Sequence, residues 1–301
     1  MANGCDHPAA CRTGEAPVLA IATVGARHWL LIEHPGPWAA SLDRCRLPGA
    51  MRTLLDRAAA LGIRGQLIRR PGSRKAAPGP IHVFVASSRS EEPWVAEGFF
   101  ENPNDLDLDA LGHGVVPESC ILVDKPVFLV CTHGKRNACC ARLGLPLARH
   151  LAASLPGEVW ETTHVGGDRY AANLVCLPHG LYYGSMSQAA AIAAAHAYRR
   201  GEVVLDRFRG RAGIPEPLQA AEHFTRVHTG ELSVDGVAVE SSWAEGDATV
   251  CVVRCTSQRG LSRFRVVVEP TVFSAPCGET CAEAISTYRL AGLSPLMPVS
   301  T

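Results

Sequence analysis

The apolar residues of this chain fall into short runs that are separated by turns rich in glycine and proline. A run such as VFLVC at Val127–Cys131 is too short for a helix and is typical of a buried strand. The stretch Ala138–Leu155 instead repeats its apolar residues with a helical period and ends at Pro156 and Gly157, which predicts a helix. Strands and helices therefore alternate, which indicates an α/β or α+β protein.

This alternation divides the chain into three predicted units, residues 1–115, 116–210 and 211–301. The first is an α/β unit with helix Met51–Leu61 and strands Val18–Thr23, His28–Glu33, Gln66–Arg69 and Ile81–Ser87. The second has strands Val127–Cys131 and Val159–Thr163, the hairpin Leu174–Leu177 and Leu181–Tyr183, and helices Ala138–Leu155 and Ser187–Arg200. Its β–α–β–β–α order resembles a thioredoxin-like fold. The third is an extension with helix Leu218–His228 and antiparallel strands Gly236–Ser242, Thr249–Thr256 and Ser262–Val268.

Composition and charge exclude several classes of function. The formal net charge is zero and no basic stripe is present, so we expect no nucleic-acid partner. The longest apolar helical tract, Ala189–Ala197, is too short to span a bilayer, and the N-terminus lacks the pattern of a secretory signal. We therefore expect a cytoplasmic protein with no membrane partner. In that reducing compartment the 12 cysteines are expected to be catalytic, metal-binding or buried.

Two pairs of potential metal ligands lie on two loops. Cys131 ends a predicted strand and Cys140 lies at the start of the following helix, where the helix dipole favours a thiolate. His164 and Asp168 flank a segment with two glycines, which allow the backbone to approach a cofactor closely. The spacing predicts a metal or cluster site, although a lone cysteine is more often a small buried apolar residue.

The residues alone leave alternatives open at this site. Cys139 and Cys140 are adjacent, so only one of them can face a given centre, and either could instead be the nucleophile of a thiol enzyme. His164 could be a hydrogen-bonded loop histidine. Asp168 could equally cap a turn or pair with Arg169.

Four segments together resemble the sucrase/ferredoxin-like family over roughly residues 17–185. They are LLIEHPGPW near the N-terminus and then, in family order, VCTHGKRNACC, THVGGDRYAANLV and LPHGLYYG. The C-terminal part of that family is similar to thioredoxin-like [2Fe-2S] ferredoxins. The resemblance therefore implies a thioredoxin-like domain that holds one [2Fe-2S] cluster.

The resemblance also implies a ligand set. The family's first-loop motif, C-x-H-x-x-R-D-x-x-C, matches Cys131 and Cys140 and leaves Cys139 as a neighbour. The eukaryotic H-x3-H pair matches His164 in its first position, whereas Asp168 departs from the second histidine. Substitutes for the fourth ligand are His133, Cys139, Cys277 and Cys281. The residues implied to surround the cofactor are Thr132, His133, Gly134, Arg136, Gly166 and Gly167.

The function implied is that of an iron–sulfur electron carrier with mixed Cys/His ligation. Its partner would be a reductase or an acceptor protein, with self-association into a homodimer as a further option. The alternatives are a zinc-binding protein and a metal-free thioredoxin-like interaction module. A glycosidase needs two carboxylates across a sugar-sized cleft, and no acidic pair in the motif-rich region suggests one, so an electron carrier is favoured over a hydrolase.

Overall fold

A computed structural model of the chain describes residues 19, 22–23, 25–75, 79–88, 92–258, 260–277 and 281–296, with the side chains of 275–277 and 281–283 excepted. Its strands are β1 His28–Glu33, β2 Arg64–Arg69, β3 Ile81–Ser87, β4 Trp94–Phe100, β5 Ile121–Leu122, β6 Val127–Cys131, β7 Val159–Thr162, β8 Leu174–Leu177, β9 Leu181–Tyr183, β10 Phe208–Arg211, β11 Val237–Glu245, β12 Ala248–Ser257, β13 Gly260–Cys277 and β14 Cys281–Leu296. Its helices are α1 Gly49–Ala60, α2 Leu108–Gly112, α3 Ala138–Ser154, α4 Gln188–Arg199 and α5 Glu216–Thr229.

One mixed sheet of ten strands, in the order β10-β9-β8-β6-β7-β2-β1-β3-β4-β5, runs through the molecule. Its second half has β6 parallel to β7, β8 antiparallel to β6, and β9 in a hairpin with β8. The connection between β6 and β7 is α3, as a parallel pair requires. The predicted β–α–β–β–α order of this half is present, with α4 as its last helix.

The first half of the sheet is built in the same way. β1 and β2 are parallel and are joined by α1, β3 is antiparallel to β1, and β4 is antiparallel to β3. The two halves meet edge to edge where β2 pairs with β7 in antiparallel register, through Ile68↔Thr162 and Arg69↔Glu161. The first two predicted units therefore share one continuous sheet.

Alternating side chains on the strands build separate cores on the two faces of this sheet. Leu30 and Ile32 of β1 face the core that contains α1, whereas Phe128 and Val130 of β6 face the core that contains α3 and α4. Trp29 and Trp160 lie in the core of the opposite face, which both halves share. Each buried tryptophan removes about 150–250 Å² from water, a gross gain of roughly 4–6 kcal/mol.

The C-terminal residues form a separate antiparallel sheet in the order β11-β12-β13-β14, and α5 packs against it. This confirms the predicted antiparallel extension, as the large mixed sheet confirms the α/β class. The extension is longer than expected, because β13 and β14 continue as a two-stranded ribbon beyond Val268, the last residue of β13 that pairs with β12.

Other predicted elements differ from the structure. In the predicted strand Val18–Thr23, Leu19, Ala22 and Thr23 are not in a strand, and the other positions lie outside the described residues. Strands β4, β5, β10 and β14 and helix α2 were not predicted. β10 lies at the start of the expected break at 210–217 and pairs with β9.

Candidate metal centre

Cys131 and Cys140 stand at the two ends of one loop. Cys131 is the last residue of β6, and Cys140 lies in the first turn of α3. The Asn137 side chain caps this helix, because its Oδ1 accepts a hydrogen bond from the Cys139 N–H at 2.8 Å. Both Cys131 and Cys140 are fully buried. A buried thiolate is stabilised at this place by the free N–H groups and the positive dipole end of the helix.

Gly144 explains why α3 can approach β6 so closely. It lies one turn after Cys140 and faces the carbonyl of Cys131, and a Cβ at this position would collide with that oxygen. The close contact brings the first turn of the helix over the end of the strand. The two cysteine sulfurs are thereby held near each other.

His164 supplies the third donor. β6 and β7 are parallel neighbours with Cys131 opposite Thr162, so the chain leaving β7 emerges at the same edge of the sheet as Cys131. The sulfurs of Cys131 and Cys140 and a ring nitrogen of His164 all lie within 4.8 Å of one another. The distance from Cys140 Sγ to His164 Nδ1 is 4.0 Å. Three of the four predicted ligands are therefore adjacent.

A hydrogen bond links the thiols of Cys131 and Cys140 and shifts their pKa values in opposite directions. A hydrogen bond from Cys140 is the largest cause that holds the pKa of Cys131 well below its usual range, and it outweighs the burial of Cys131. The same bond, together with burial, raises the pKa of Cys140. A metal bound here would replace the proton of the hydrogen bond between the two thiols.

Asp168 lies beside this three-donor group and not within it. It opens the 3₁₀ turn Asp168–Tyr170, and its Oδ2 accepts a hydrogen bond from Asn137 Nδ2 at 2.6 Å. Its negative charge contributes to the raised pKa of Cys140, so it is electrostatically part of the site. Its role as a ligand stays a prediction.

The substitutes considered for the fourth ligand are placed differently. Both ring nitrogens of His133 are engaged, since Nδ1 accepts from the His164 N–H at 3.1 Å and Nε2 donates to the Ala39 carbonyl at 2.5 Å. Burial lowers the pKa of His133, which agrees with this neutral form. Cys139 is disulfide-bonded, and its sulfur also accepts from Arg142. The side chains of Cys277 and Cys281 lie outside the described residues.

The loop after His164 depends on Gly166 and Gly167, whose φ angles are 97° and 67°. A Cβ at Gly167 would collide with the guanidinium of Arg209, which is buried beneath the loop. Arg209 donates to Asn173 Oδ1 at 2.6 Å and lies over the rings of the two tyrosines, Tyr170 and Tyr182. Burial lowers its pKa to about 10, so it remains a cation at neutral pH.

The other residues predicted to surround a cofactor lie on the 132–137 loop. The Thr132 hydroxyl donates to Glu161 Oε2 at 3.1 Å. Gly134 is half-buried and packs on Ala141, and the side chain of Arg136 is exposed. These residues shape the loop, and their contact with a cofactor stays a prediction.

Two residues of the first half that were not predicted as site residues, Arg64 and Gln66, hold the backbone of His164 in place. The His164 carbonyl accepts hydrogen bonds from Gln66 Nε2 and Arg64 at 3.3 Å each. Gln66 Oε1 in turn accepts from the hydroxyl of Thr163. A glutamine on a short strand carries no signal of such a role in the sequence, because its partner lies 98 residues away.

Within the residues that the structure describes, no helix combines the length and the apolar character needed to cross a bilayer. A model of the sucrase/ferredoxin-like family matches residues 24–210, which include all four predicted ligands. The chain belongs to this family. Neither the curated proteins nor the solved structures gave a match.

Proposed function

We propose that this member of the sucrase/ferredoxin-like family binds one [2Fe-2S] cluster and carries electrons to or from a protein partner in the cytoplasm. One observation carries the proposal. Two thiols and one imidazole, from a strand end, a helix start and a neighbouring strand end, converge within 4.8 Å of one another.

The donor set fits such a cluster. Thiolate sulfur is the soft ligand that iron–sulfur clusters select, and imidazole replaces it on one iron in mixed sites. Cys131, Cys140 and His164 would hold the cluster, with Asp168 as the proposed fourth ligand. Asp168 follows His164 by one short turn, and its charge already acts on Cys140.

When bound, the cluster supplies one-electron transfer, and the residues of the chain adjust its charge. The N-terminus of α3 and the buried cation Arg209 stabilise negative charge at the site. A neutral imidazole in place of a thiolate removes one negative charge and favours the reduced state. Gln66 and His133 fix the backbone of His164 and so orient its ring.

The cysteines are fully buried, which keeps bulk water away from their sulfurs, whereas His164 is half-buried. His164 is therefore the side of the site that an electron-transfer partner would approach. We propose a reductase or an acceptor protein as that partner, with self-association into a homodimer as a further option.

The test is anaerobic purification of the full chain followed by iron and acid-labile sulfide determination and a visible spectrum. We expect iron and sulfide in equal amounts, a red-brown colour and reversible one-electron reduction. A colourless protein that lacks both iron and sulfide would overturn the proposal.

Zinc is a second candidate, because Asp168 is hydrogen-bonded to Asn137 while two cysteines and one histidine converge. Two thiolates and one imidazole with an open fourth position are a known zinc arrangement. Stoichiometric zinc in a colourless protein would favour this reading. In that case Asp168→Ala should leave the zinc content unchanged, whereas with a cluster it should alter the visible spectrum.

A further inference from the structure

A cleft of about 610 Å³ lies against the loop that follows Cys131 and is separate from the metal donors. One wall is the 35–38 loop after β1, and the opposite wall is the 132–135 loop with the first turns of α3. The floor comes from Arg69 at the end of β2. The two halves of the molecule thus build this cleft together.

The charges in the cleft are unbalanced. Arg69, Arg74 and Lys135 line it, and no acidic side chain does so among the residues that the structure describes. The carboxylate of Glu161, which is fully buried, pairs with Arg69 at 2.7 Å and with Arg74 at 3.4 Å. One negative charge thus faces three positive ones, which leaves an excess of positive charge for an anion.

The two outer cations face solvent, where a ligand can reach them. The side chain of Arg74 is 45% exposed, and Lys135 is exposed. Arg69 instead is buried, and its guanidinium lies 3.7 Å from the centre of the Trp38 ring and donates to the Pro35 carbonyl. Arg69 therefore shapes the floor, whereas Arg74 and Lys135 offer their charges to solvent.

The remaining walls are apolar and already in place. Pro37, Trp38 and Leu145 line the cleft beside the cations. The hydrogen bond from His133 to the Ala39 carbonyl ties one wall to the other, so little ordering is needed when a ligand enters. A cleft with cations at its rim and apolar walls fits an anion that carries an apolar body.

We propose that this cleft binds a small organic carboxylate. Its charged end would contact Arg74 and Lys135, and its apolar body would lie against Pro37, Trp38 and Leu145. The binding needs none of the metal donors, so it stands apart from the function proposed above.

The test is isothermal titration of the full-length protein with benzoate at low ionic strength. We expect saturable binding of one benzoate per chain, weakened about tenfold or more by Arg74→Gln and by Lys135→Gln, because each removes a charge-assisted contact. Arg149→Gln removes an exposed cation of α3 outside the cleft and should leave the affinity unchanged. Benzyl alcohol, which has the same ring and no charge, should bind at least about tenfold more weakly.

Three results would overturn the proposal. They are the absence of saturable benzoate binding, equal weakening by Arg149→Gln, and tighter binding of inorganic phosphate than of benzoate, which would exclude the apolar body. Thermal unfolding of Arg74→Gln shows whether it folds, and Lys135→Gln serves if it does not. Binding that persists in Cys140→Ala would keep this result independent of the metal.

Discussion

The two halves of the ten-stranded sheet have the same strand order, but among the described residues only the second brings together three side chains that could hold a metal ion. The orders are β2-β1-β3-β4 and β7-β6-β8-β9, and in each half a helix joins the parallel pair while the other two strands are antiparallel. No periodic repeat is evident in the sequence. The two halves are alike in how their strands pair, and this similarity cannot be seen in any short segment of the sequence.

The halves differ at the carboxyl ends of their parallel strands. β6 ends at Cys131, whereas β1 ends at Glu33, and β7 is followed closely by His164, whereas β2 is followed by Arg70. α3 begins with Cys140 in its first turn, whereas α1 begins at Gly49 with no cysteine. One topology thus offers the same three positions twice, and the side chains at those positions decide which half could hold a metal.

The first half has a different role at the same site. Its β2 supplies Gln66 to the His164 carbonyl, and the loop after β1 supplies the Ala39 carbonyl to His133. The first half thus orients the donors of the second half.

Cys140→Ala should abolish metal binding, because it removes one of three converging donors. Two control variants should retain metal: Glu33→Ala, at the counterpart of Cys131 in the first half, and Cys176→Ala, a buried free cysteine of β8. Metal analysis of the three purified variants checks this. Full metal content in Cys140→Ala would contradict the assignment of the site to the second half.

Arg69→Met should destabilise the protein by about 3–5 kcal/mol. It leaves the carboxylate of Glu161 buried, where β2 pairs with β7, without its closest cation. Arg263→Met is a matched control, since its pair with Glu240 has the same 2.7 Å distance but is partly exposed. We expect at most about 1 kcal/mol from it. Urea unfolding measures the stability of both variants. An equal loss of stability in the two would mean that the Arg69–Glu161 pair does not hold the two halves of the sheet together.

Gly144→Ala should cost about 1–3 kcal/mol, because a methyl group would push α3 away from the Cys131 carbonyl. Its metal content should fall as Cys140 moves. Gly49→Ala is the matched exchange in the helix of the first half, where the added methyl group would meet open space. Thermal unfolding checks both variants, and a wild-type midpoint in Gly144→Ala would show that the close approach is not required.

The smallest predicted effect is on the stability that the protein loses in acid. Burial, and then the charge of Arg69, lower the pKa of His34 below 6.5, so just below that pH the unfolded chain takes up a proton that the folded chain resists. The stability from neutral His34 is present in full above pH 6.5 and is lost as the pH falls toward the lower folded value.

Urea midpoints between pH 8 and pH 5 should therefore fall less for His34→Gln than for the wild type. His113→Gln, at an exposed histidine on the carbonyl of Asp109, should behave like the wild type. An unchanged pH dependence in His34→Gln would show that His34 does not contribute to the loss of stability in acid.

Much of the second half could be predicted from the sequence, because its strands are contiguous apolar runs. Val127–Cys131, Leu174–Leu177 and Leu181–Tyr183 have the predicted bounds. Strand β4 was not predicted, since WVAEGFF mixes a charge and a glycine into a run that β3 completes as a sheet. Strand β5 has two residues and exists only because β4 offers it an edge.

The sequence by itself determined the local features of the site: a strand that ends at Cys131, a helix that begins before Cys140, and a glycine turn after His164. Apolar runs, caps and glycines act over a few residues, so they can be read in order. Only the tertiary structure decided that β2 joins β7, that Asn137 bonds Asp168, and that His133 uses both of its ring nitrogens. The partners of His133 and Gln66 lie 94 and 98 residues away, and no local pattern encodes contacts of that length.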